Sequence, residues 1–373
     1  MRNKPVYINP WTWFYDFQRQ AIASRQVELL RLPRKYHEAW RYLEAAQYDD
    51  ALRLFNEGIE IAEELEQPMW IYFFESWLCE VYVLADDYNR ALDATTRLVA
   101  KSPQPQFRDH PVQAVVYFTL AWVYSYVDGI GYQQDILAAL DTIEGGEIPL
   151  DEETHQRSIY LRAKIAFENE RFEDAQNYNE DYMSRVSGNP FRESSGYGMR
   201  RALAFQAGDL PTALTAAQLQ EQAARQTRLL NNVIHSMLWQ GILYHYMDEL
   251  VPAEQVVQKA IDERDARNLT EKVTFHHLLA MYYRAQGNLE RALSLRDAEL
   301  AFAINSHSLS FEFRSRLYRC YLLNALKRDA HNEIAALEAI AQKSKVPTLL
   351  MQRVNEVKAG RTMRYDWQAK HLD

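Results

Sequence analysis

The chain has 373 residues, of which 47% are hydrophobic and 25% are charged, a balance that excludes disorder for most of its length. Twelve Gly and twelve Pro residues are too few for a loop-rich β protein, so the composition favours helices. The formal net charge is −9, and mildly basic ends (residues 1–41 and 343–373) flank an acidic middle. This charge distribution disfavours a general nucleic-acid-binding protein.

Hydrophobicity and cysteine content indicate neither a membrane protein nor a secreted one. No apolar run reaches the roughly 18 residues that a membrane-spanning helix needs, and residues 1–10 lack the apolar segment of a signal peptide. Cys79 and Cys320 are the only cysteines, which excludes a disulfide framework and a cysteine-based zinc site. We therefore expect a cytoplasmic protein.

The first predicted element is a helix over residues 11–30, inside an N-terminal segment that we place at residues 1–31. Five aromatic residues cluster at positions 11–17 of this segment, too many to remain in contact with water. Two roles are open for them: they cap the first repeat of the array that follows, or they contact a partner or a second copy. These residues are Trp11, Trp13, Phe14, Tyr15 and Phe17.

A recurring pair of residues marks the start of a helix along residues 32–345. In each pair a Tyr, Phe or Leu precedes an Ala by three positions, and successive Ala residues lie close to 40 positions apart. One gap, from Ala91 to Ala175, is about twice as long and predicts a further unit within it. The six pairs are Tyr48/Ala51, Tyr88/Ala91, Phe172/Ala175, Leu210/Ala213, Leu250/Ala253 and Leu289/Ala292.

A second set of residues precedes each pair and predicts another helix. Nine positions before the Ala stand Tyr42, Tyr82, Ala166, Ala204, Tyr244 and Tyr283, and three positions earlier stand Ala39, Cys79, Ala163, Gly241 and Ala280, with Arg201 as the exception. Small side chains allow two helices to approach closely, so each unit is predicted to be a hairpin of helix A, turn and helix B. The predicted turns are Asp86-Asp87, Asn169-Glu170, Gly208-Asp209 and Gly287-Asn288.

The last predicted elements are an eighth hairpin and a terminal helix. Helical periodicity alone predicts the hairpin, at about residues 309–345. The C-terminal segment, residues 346–373, is predicted to hold a capping helix over residues 347–358 and a polar tail. Pro347 is well placed to start that helix, because proline is favoured in the first helical turn.

These units resemble tetratricopeptide repeats, which carry a small residue, a Tyr and an Ala at similar spacings. The closest match is Leu78-Cys79-x2-Tyr82, followed by Tyr88-x2-Ala91 and Pro103, and the resemblance covers about eight hairpins in residues 32–345. It implies an all-α fold, a right-handed superhelical solenoid of antiparallel helix pairs. The period is nearer 40 than the family's 34, so either the helices or the loops are longer. Such long repeats are typical of bacterial sensory and regulatory members of this family.

No catalytic signature is found, so we predict neither an enzyme nor a bound cofactor. The sequence has no phosphate-binding glycine loop, no G-x-S-x-G turn and no H-E-x-x-H motif. His276 and His277 are adjacent, and neighbouring helical residues point about 100° apart, so they cannot easily share a metal ion. Buried packing is the expectation for Cys79 and Cys320.

The resemblance also implies a binding groove, because helix A of each tetratricopeptide unit lines the concave surface. The central part of this surface is rich in aromatic residues, which suit a peptide or a partner helix. The alternative is that some of these rings pack between neighbouring units. The candidate groove residues are Phe118, Trp122, Tyr126, Tyr160, Lys164, Phe167, His245, Tyr246, His277 and Arg284.

The family's carboxylate clamp of Lys and Asn residues is not reproduced, with Lys164 the main candidate cation in the centre and Arg157 and Arg284 further along. The sequence therefore favours a non-enzymatic protein-interaction module, regulatory or scaffolding, that binds a protein or peptide partner. A second hypothesis is a sensor of a ligand or peptide pheromone, in which binding changes the superhelix and so controls a partner protein. A nucleic-acid partner is the least favoured, and a membrane partner is not expected.

Overall fold

The computed structural model describes residues 10–44, 47–85, 87–129, 131–227, 230–266, 273–344 and 347–361. Over these residues the regular structure consists of 18 α-helices and one 3-10 turn, Val27–Leu30, and contains no β-strand. The prediction of an all-α protein is therefore confirmed. None of the described helices combines the length and the apolar character that a bilayer span requires.

The helices have similar lengths, and most follow one another after only a few residues. In chain order they are α1 (Pro10–Ala23), α2 (Arg31–Glu44), α3 (Tyr48–Glu64), α4 (Pro68–Leu84), α5 (Tyr88–Lys101), α6 (Gln113–Asp128), α7 (Gln133–Glu144), α8 (Glu152–Glu168), α9 (Phe172–Val186), α10 (Pro190–Gln206), α11 (Leu210–Gln226), α12 (Leu230–Tyr246), α13 (Leu250–Ala266), α14 (Val273–Ala285), α15 (Leu289–Asn305), α16 (Leu309–Ala325), α17 (His331–Lys343) and α18 (Pro347–Lys358).

Consecutive helices from α2 onward pack as hairpins, in which the even-numbered helix is helix A and the odd-numbered one is helix B. In the α8–α9 hairpin, Ile159 of α8 packs with Tyr182 and Val186 of α9. A turn of only a few residues between two helices that pack side by side makes the pair antiparallel. The predicted antiparallel helix pairs are therefore observed.

The recurring residue pair starts a B helix in each of its six occurrences. Its Tyr, Phe or Leu is the first residue of α3, α5, α9, α11, α13 and α15. The accompanying Ala is fully buried every time, since any larger side chain would hold the two helices apart. The further unit expected between Ala91 and Ala175 is also present, as α6 and α7.

The long period arises from the helices. The helices α10 to α13 begin at residues 190, 210, 230 and 250, and each has 17 residues. Two such helices and two short turns make up one unit of 40 residues. The alternative of extended loops does not apply to these hairpins.

Tight turns end the A helices where the sequence predicted them. Gly208 and Gly287 have positive φ angles of 78° and 77°, and Glu170 has 59°. Asp209 then caps the next helix, because its side chain accepts a hydrogen bond from the backbone N–H of Thr212. Asp87 caps α5 in the same way, while Asp86 lies outside the described residues.

The small position of helix A is the twelfth residue of the 17-residue A helices. It holds Cys79 in α4, Gly241 in α12 and Cys320 in α16. Both cysteines are free and buried, as predicted, and burial raises the pKa of each thiol to about 12. The cysteines therefore act as small packing residues, and the eighth hairpin, which lacks the recurring pair, still keeps this position small.

The chain divides into two compact units, Met1–Ser158 with Ser306–Ser308 and Ile159–Asn305 with Leu309–Asp373. The core of the first unit is strongly aromatic and includes Trp70, Phe73 and Phe74. The core of the second is built mainly of aliphatic residues around α12, such as Val233 and Leu238.

The N-terminal aromatic residues take mainly the capping role within the first unit. Phe14 is fully buried, and Trp13 and Phe17 pack against the same core, with ring centroids 5.1 Å and 5.0 Å from that of Trp70. Tyr15 remains 51% exposed. The prediction of one helix over residues 11–30 is wrong in its second half. The helix α1 ends at Ala23, because Arg25 adopts a left-handed φ of 58°.

Candidate functional site

The candidate groove residues all lie on A helices, but in different units of the chain. Phe118, Trp122 and Tyr126 belong to α6 in the first unit, and the other seven belong to the second unit. Those seven are Tyr160, Lys164 and Phe167 on α8, His245 and Tyr246 on α12, and His277 and Arg284 on α14.

In the first unit, three aromatic rings follow one another along α6. The ring of Phe118 stacks on Trp122 at 5.8 Å between centroids, and Trp122 meets Tyr126 edge to face at 5.5 Å. Phe118 is only 2% exposed, whereas Trp122 and Tyr126 are half-buried. The buried ring of Phe118 therefore packs against Trp122 and holds it in place. A partner that binds this surface would contact Trp122 and Tyr126.

A guanidinium covers the buried ring of this strip. The Arg157 side chain lies 4.1 Å above the Phe118 ring centroid, and its Nη2 atom is 3.3 Å from Oε1 of Glu80. The hydroxyl of Thr119 also donates to that carboxylate at 2.7 Å. Arg157 thus has its charge balanced inside the protein and mainly orders Phe118.

On α8, the predicted rings contact helix B of their own hairpin. The ring centroid of Tyr160 lies 5.3 Å from that of Tyr182, and the ring centroid of Phe167 lies 5.6 Å from that of Phe172. Tyr182 and Phe172 are both on α9. The ammonium group of Lys164 is 3.8 Å from the carboxylate of Glu168, one turn further along the helix. Part of this aromatic surface therefore packs inside the protein, which is the alternative that the sequence left open.

Three successive A helices of the second unit contribute to one continuous row of side chains, which we call the Tyr246 row: Phe205, Tyr246 and Arg284. The ring centroids of Phe205 on α10 and Tyr246 on α12 are 6.0 Å apart, and Nη2 of Arg284 on α14 donates to the Tyr246 hydroxyl at 3.2 Å. Tyr246 and Arg284 are half-buried, so each keeps part of its surface open to a ligand. His245 lies beside the row, 6.3 Å from Tyr246.

His277 belongs to a buried charge cluster that the sequence did not reveal. Its Nδ1 atom is 2.7 Å from Nη1 of Arg296, which also contacts the carboxylate of Glu299, and Nη2 of Arg314 lies 3.7 Å from that carboxylate. Glu299 is 0% exposed. Burial acts to raise the pKa of Glu299, but the charges of Arg296 and Arg314 outweigh burial and hold the pKa below its usual value. The carboxylate is therefore ionised.

A second buried cation lies on α10. Arg201, the exception at the small position, is 6% exposed; its Nη1 atom donates to Oε1 of Gln220 on α11 at 2.5 Å. The guanidinium stacks over the ring of Trp239 on α12 at 4.5 Å. Trp239 in turn donates its indole N–H to Nε2 of His235 at 3.0 Å. We call these four residues the Arg201 cluster.

The arrangement supplies side chains that can bind a ligand. Within the described ranges, no group of three His, Cys, Asp or Glu side chains is placed to hold a metal ion. What the A helices offer instead is aromatic faces and guanidinium N–H donors, which recognise peptide side chains and carboxylates.

The comparisons with known proteins bear on the fold. No protein-family model matches the sequence, and no curated protein matches it. A tetratricopeptide repeat protein from Parabacteroides merdae is similar in structure, with 13% identity, a TM-score of 0.45, and 72% of this chain and 91% of that chain covered. The apo form of RapI is 12% identical, with a TM-score of 0.48 and coverage of 89% and 99%.

A third structure is a Signal Transduction ATPase with Numerous Domains that has a tetratricopeptide repeat sensor, from Pyrococcus horikoshii. It is 13% identical, with a TM-score of 0.46, and the match covers 85% of this chain but 50% of the ATPase. This chain consists of repeated helix pairs, as the sequence predicted, and is similar to these solved structures.

Proposed function

We propose that the chain is a non-enzymatic protein-interaction module, which binds a peptide or a segment of a partner protein on the surface of its A helices and serves a regulatory or scaffolding role. The observation that carries the proposal is the Tyr246 row. Three successive A helices, α10, α12 and α14, bring an aromatic ring, a phenol and a guanidinium into contact.

The chemistry of the row fits a peptide. Tyrosine and arginine are the residue types that most often dominate binding at protein interfaces, because they combine a large contact area with hydrogen-bond donors. The half-buried state of Tyr246 and Arg284 also favours binding, since side chains that are already ordered lose little entropy when a ligand arrives. The half-buried Trp122 and Tyr126 offer a second surface of the same type on the first unit.

The test is affinity capture from a lysate of the native host, with proteins and peptides identified by mass spectrometry. The bait is the full chain, and the comparison is the Tyr246→Ala/Arg284→Ala variant. Loss of one central contact of about 2 kcal/mol would weaken binding about thirtyfold, so the variant that lacks both should lose the captured partner.

A matched control variant, Gln255→Ala/Lys259→Ala, alters two exposed residues of α13, which is a B helix. It should capture the same partner as the wild type. Circular dichroism melting curves must show that both variants are folded. A partner that the Tyr246/Arg284 variant retains and the α13 variant loses would overturn the proposal.

A further inference from the structure

Arg201 is a buried cation that no carboxylate of the described residues neutralises. Its Nη1 atom donates to the neutral amide of Gln220, and its Nε–H has no hydrogen-bond partner among the same residues. In the parts of the chain that the structure describes, no Asp or Glu forms an ion pair with it. Removing a guanidinium from water without a compensating carboxylate is strongly unfavourable. Such an arrangement is retained when it serves a purpose other than stability.

The α14–α15 hairpin carries a carboxylate at the position that Gln220 occupies in the α10–α11 hairpin. Gln220 lies seven residues after Ala213, and the corresponding residue of α15, seven after Ala292, is Glu299. Both are buried and both contact a buried arginine, but Glu299 neutralises its arginine and Gln220 does not. The other four hairpins with the recurring pair hold uncharged residues at this position, namely Gly58, Leu98, Tyr182 and Ala260.

The surroundings of Arg201 supply further hydrogen-bond donors. The indole of Trp239 can only donate, so Nε2 of His235 is an acceptor and the neutral ring carries its proton on Nδ1. Burial first, and the charge of Arg201 second, lower the pKa of His235 to about 3. The cluster therefore combines one cation with a neutral N–H donor, and His235 and Trp239 are only half-buried.

The guanidinium keeps its charge at neutral pH. Burial lowers the pKa of Arg201 to about 9, which is still above the physiological range. Arg201 also acts on the hydroxyl of Tyr160 on α8, whose pKa is raised by burial. The positive charge is thus felt by groups on two neighbouring A helices, α8 and α12.

We propose that the Arg201 cluster binds a carboxylate group of the ligand, which supplies the negative charge that Glu299 provides in the α14–α15 hairpin. This inference rests on the proposed peptide-binding function and adds the chemistry of one contact. The carboxylate comes either from an Asp or Glu side chain or from the C-terminus of a peptide.

Small carboxylates test the inference without the natural partner. N-acetylglycine presents a peptide C-terminus, N-acetylaspartate amide presents an acidic side chain, and acetamide is the uncharged control. The melting temperature of the full chain is measured against the concentration of each compound at constant ionic strength. A carboxylate that binds the folded protein raises the melting temperature with concentration, and acetamide does not.

Two variants make the result specific. Arg201→Gln removes the cation, and its apparent affinity for the carboxylate should fall at least about thirtyfold. Gln220→Glu supplies a carboxylate inside the protein, so this variant should melt at a higher temperature than the wild type without ligand and should no longer respond to carboxylates. The comparison of the two compounds shows whether a side chain or a C-terminus is preferred.

The inference is overturned if neither carboxylate raises the melting temperature of the wild type, or if Gln220→Glu responds as the wild type does. If Arg201→Gln does not fold, the response of Gln220→Glu to carboxylates is sufficient to test the inference. A carboxylate response in a protein that captures no partner through the Tyr246 row would support the Arg201 site and contradict the proposed function. Capture of a partner without any carboxylate response would support the proposed function and contradict the Arg201 site.

Discussion

The Nη1 atom of Arg296 lies 2.7 Å from Nδ1 of His277. Arginine can only donate, so Nδ1 of His277 accepts this hydrogen bond and the imidazole is neutral. Oε1 of Glu299 is 3.3 Å from the same Nδ1 atom, a close contact between two acceptors rather than a hydrogen bond. Burial first, and Arg296 second, lower the pKa of His277 to about 4.

This lowered pKa predicts that the protein loses stability as the pH falls below about 6.5. Between pH 6.5 and 4 the unfolded chain binds a proton at His277 that the folded chain does not, so the free energy of unfolding decreases with decreasing pH. Each such histidine contributes up to about 1.4 kcal/mol per pH unit. His110 and His235, with pKa values lowered by burial to about 4 and about 3, act in the same direction.

The measurement is urea unfolding at several pH values between 7.5 and 4.5. His277→Gln keeps an acceptor for Arg296 but cannot take up a proton, so its pH dependence should be shallower than that of the wild type. His331→Gln changes an exposed histidine and serves as the control. An unchanged slope in His277→Gln would show that His277 is already protonated in the folded protein.

Glu299→Gln should strongly destabilise the second unit. The substitution leaves Arg296, which is 3% exposed, without its carboxylate, and breaking a buried ion pair in this way costs about 3–5 kcal/mol. Glu254→Gln on the exposed face of α13 should change the free energy of unfolding by no more than about 0.5 kcal/mol. Equal effects of the two substitutions would mean that water reaches Glu299.

The sequence was sufficient to predict the helices because their signal is local and repeated. A small residue, a tyrosine and an alanine recur within one hairpin, and each reports on contacts between helices that follow one another in the chain. Where one hairpin lacks the recurring pair, as the eighth does, the neighbouring hairpins still indicate that the repeat continues. The twelfth position of α16, Cys320, could have identified that hairpin too, since it matches Cys79 of α4.

The charge clusters could not be predicted in the same way. In the sequence, Glu299 resembles any other acidic residue of an amphipathic helix. Its buried carboxylate is balanced by Arg296, which is itself buried, and by Arg314 of the next helix. The end of α1 at Ala23 was missed for a similar reason. The following residues, Ser24 and Arg25, include neither the Gly nor the Pro that usually marks a left-handed helix end.

Phe14→Ala should destabilise the first unit by about 3–5 kcal/mol, because Phe14 is fully buried against Trp70 and Phe73. Tyr15→Ala alters the neighbouring ring, which is 51% exposed, and should cost about 0.5 kcal/mol or less. Thermal or urea unfolding of both variants checks the difference. If Tyr15 proved as costly as Phe14, the exposed ring would be buried in a contact with another copy of the chain.

Gly241→Ala tests the rule that helix A needs a small residue at its twelfth position. A Cβ atom at position 241 would lie 2.2 Å from Cγ2 of Val257 on α13, so the two helices must move apart. Overpacking of this kind costs about 1–3 kcal/mol, which outweighs the gain of up to about 1 kcal/mol that alanine brings to a helix.

The double variant Gly241→Ala/Val257→Ala removes the atom that the new Cβ meets. If the clash is the cause, the double variant is more stable than the sum of the two single effects by about 0.5–3 kcal/mol, as measured by urea unfolding of all four proteins. Strict additivity would place the cost elsewhere, in the backbone of Ala253, whose carbonyl oxygen lies 3.4 Å from the same Cβ position. That outcome would make the helix spacing, rather than the side chain of Val257, the feature that requires glycine.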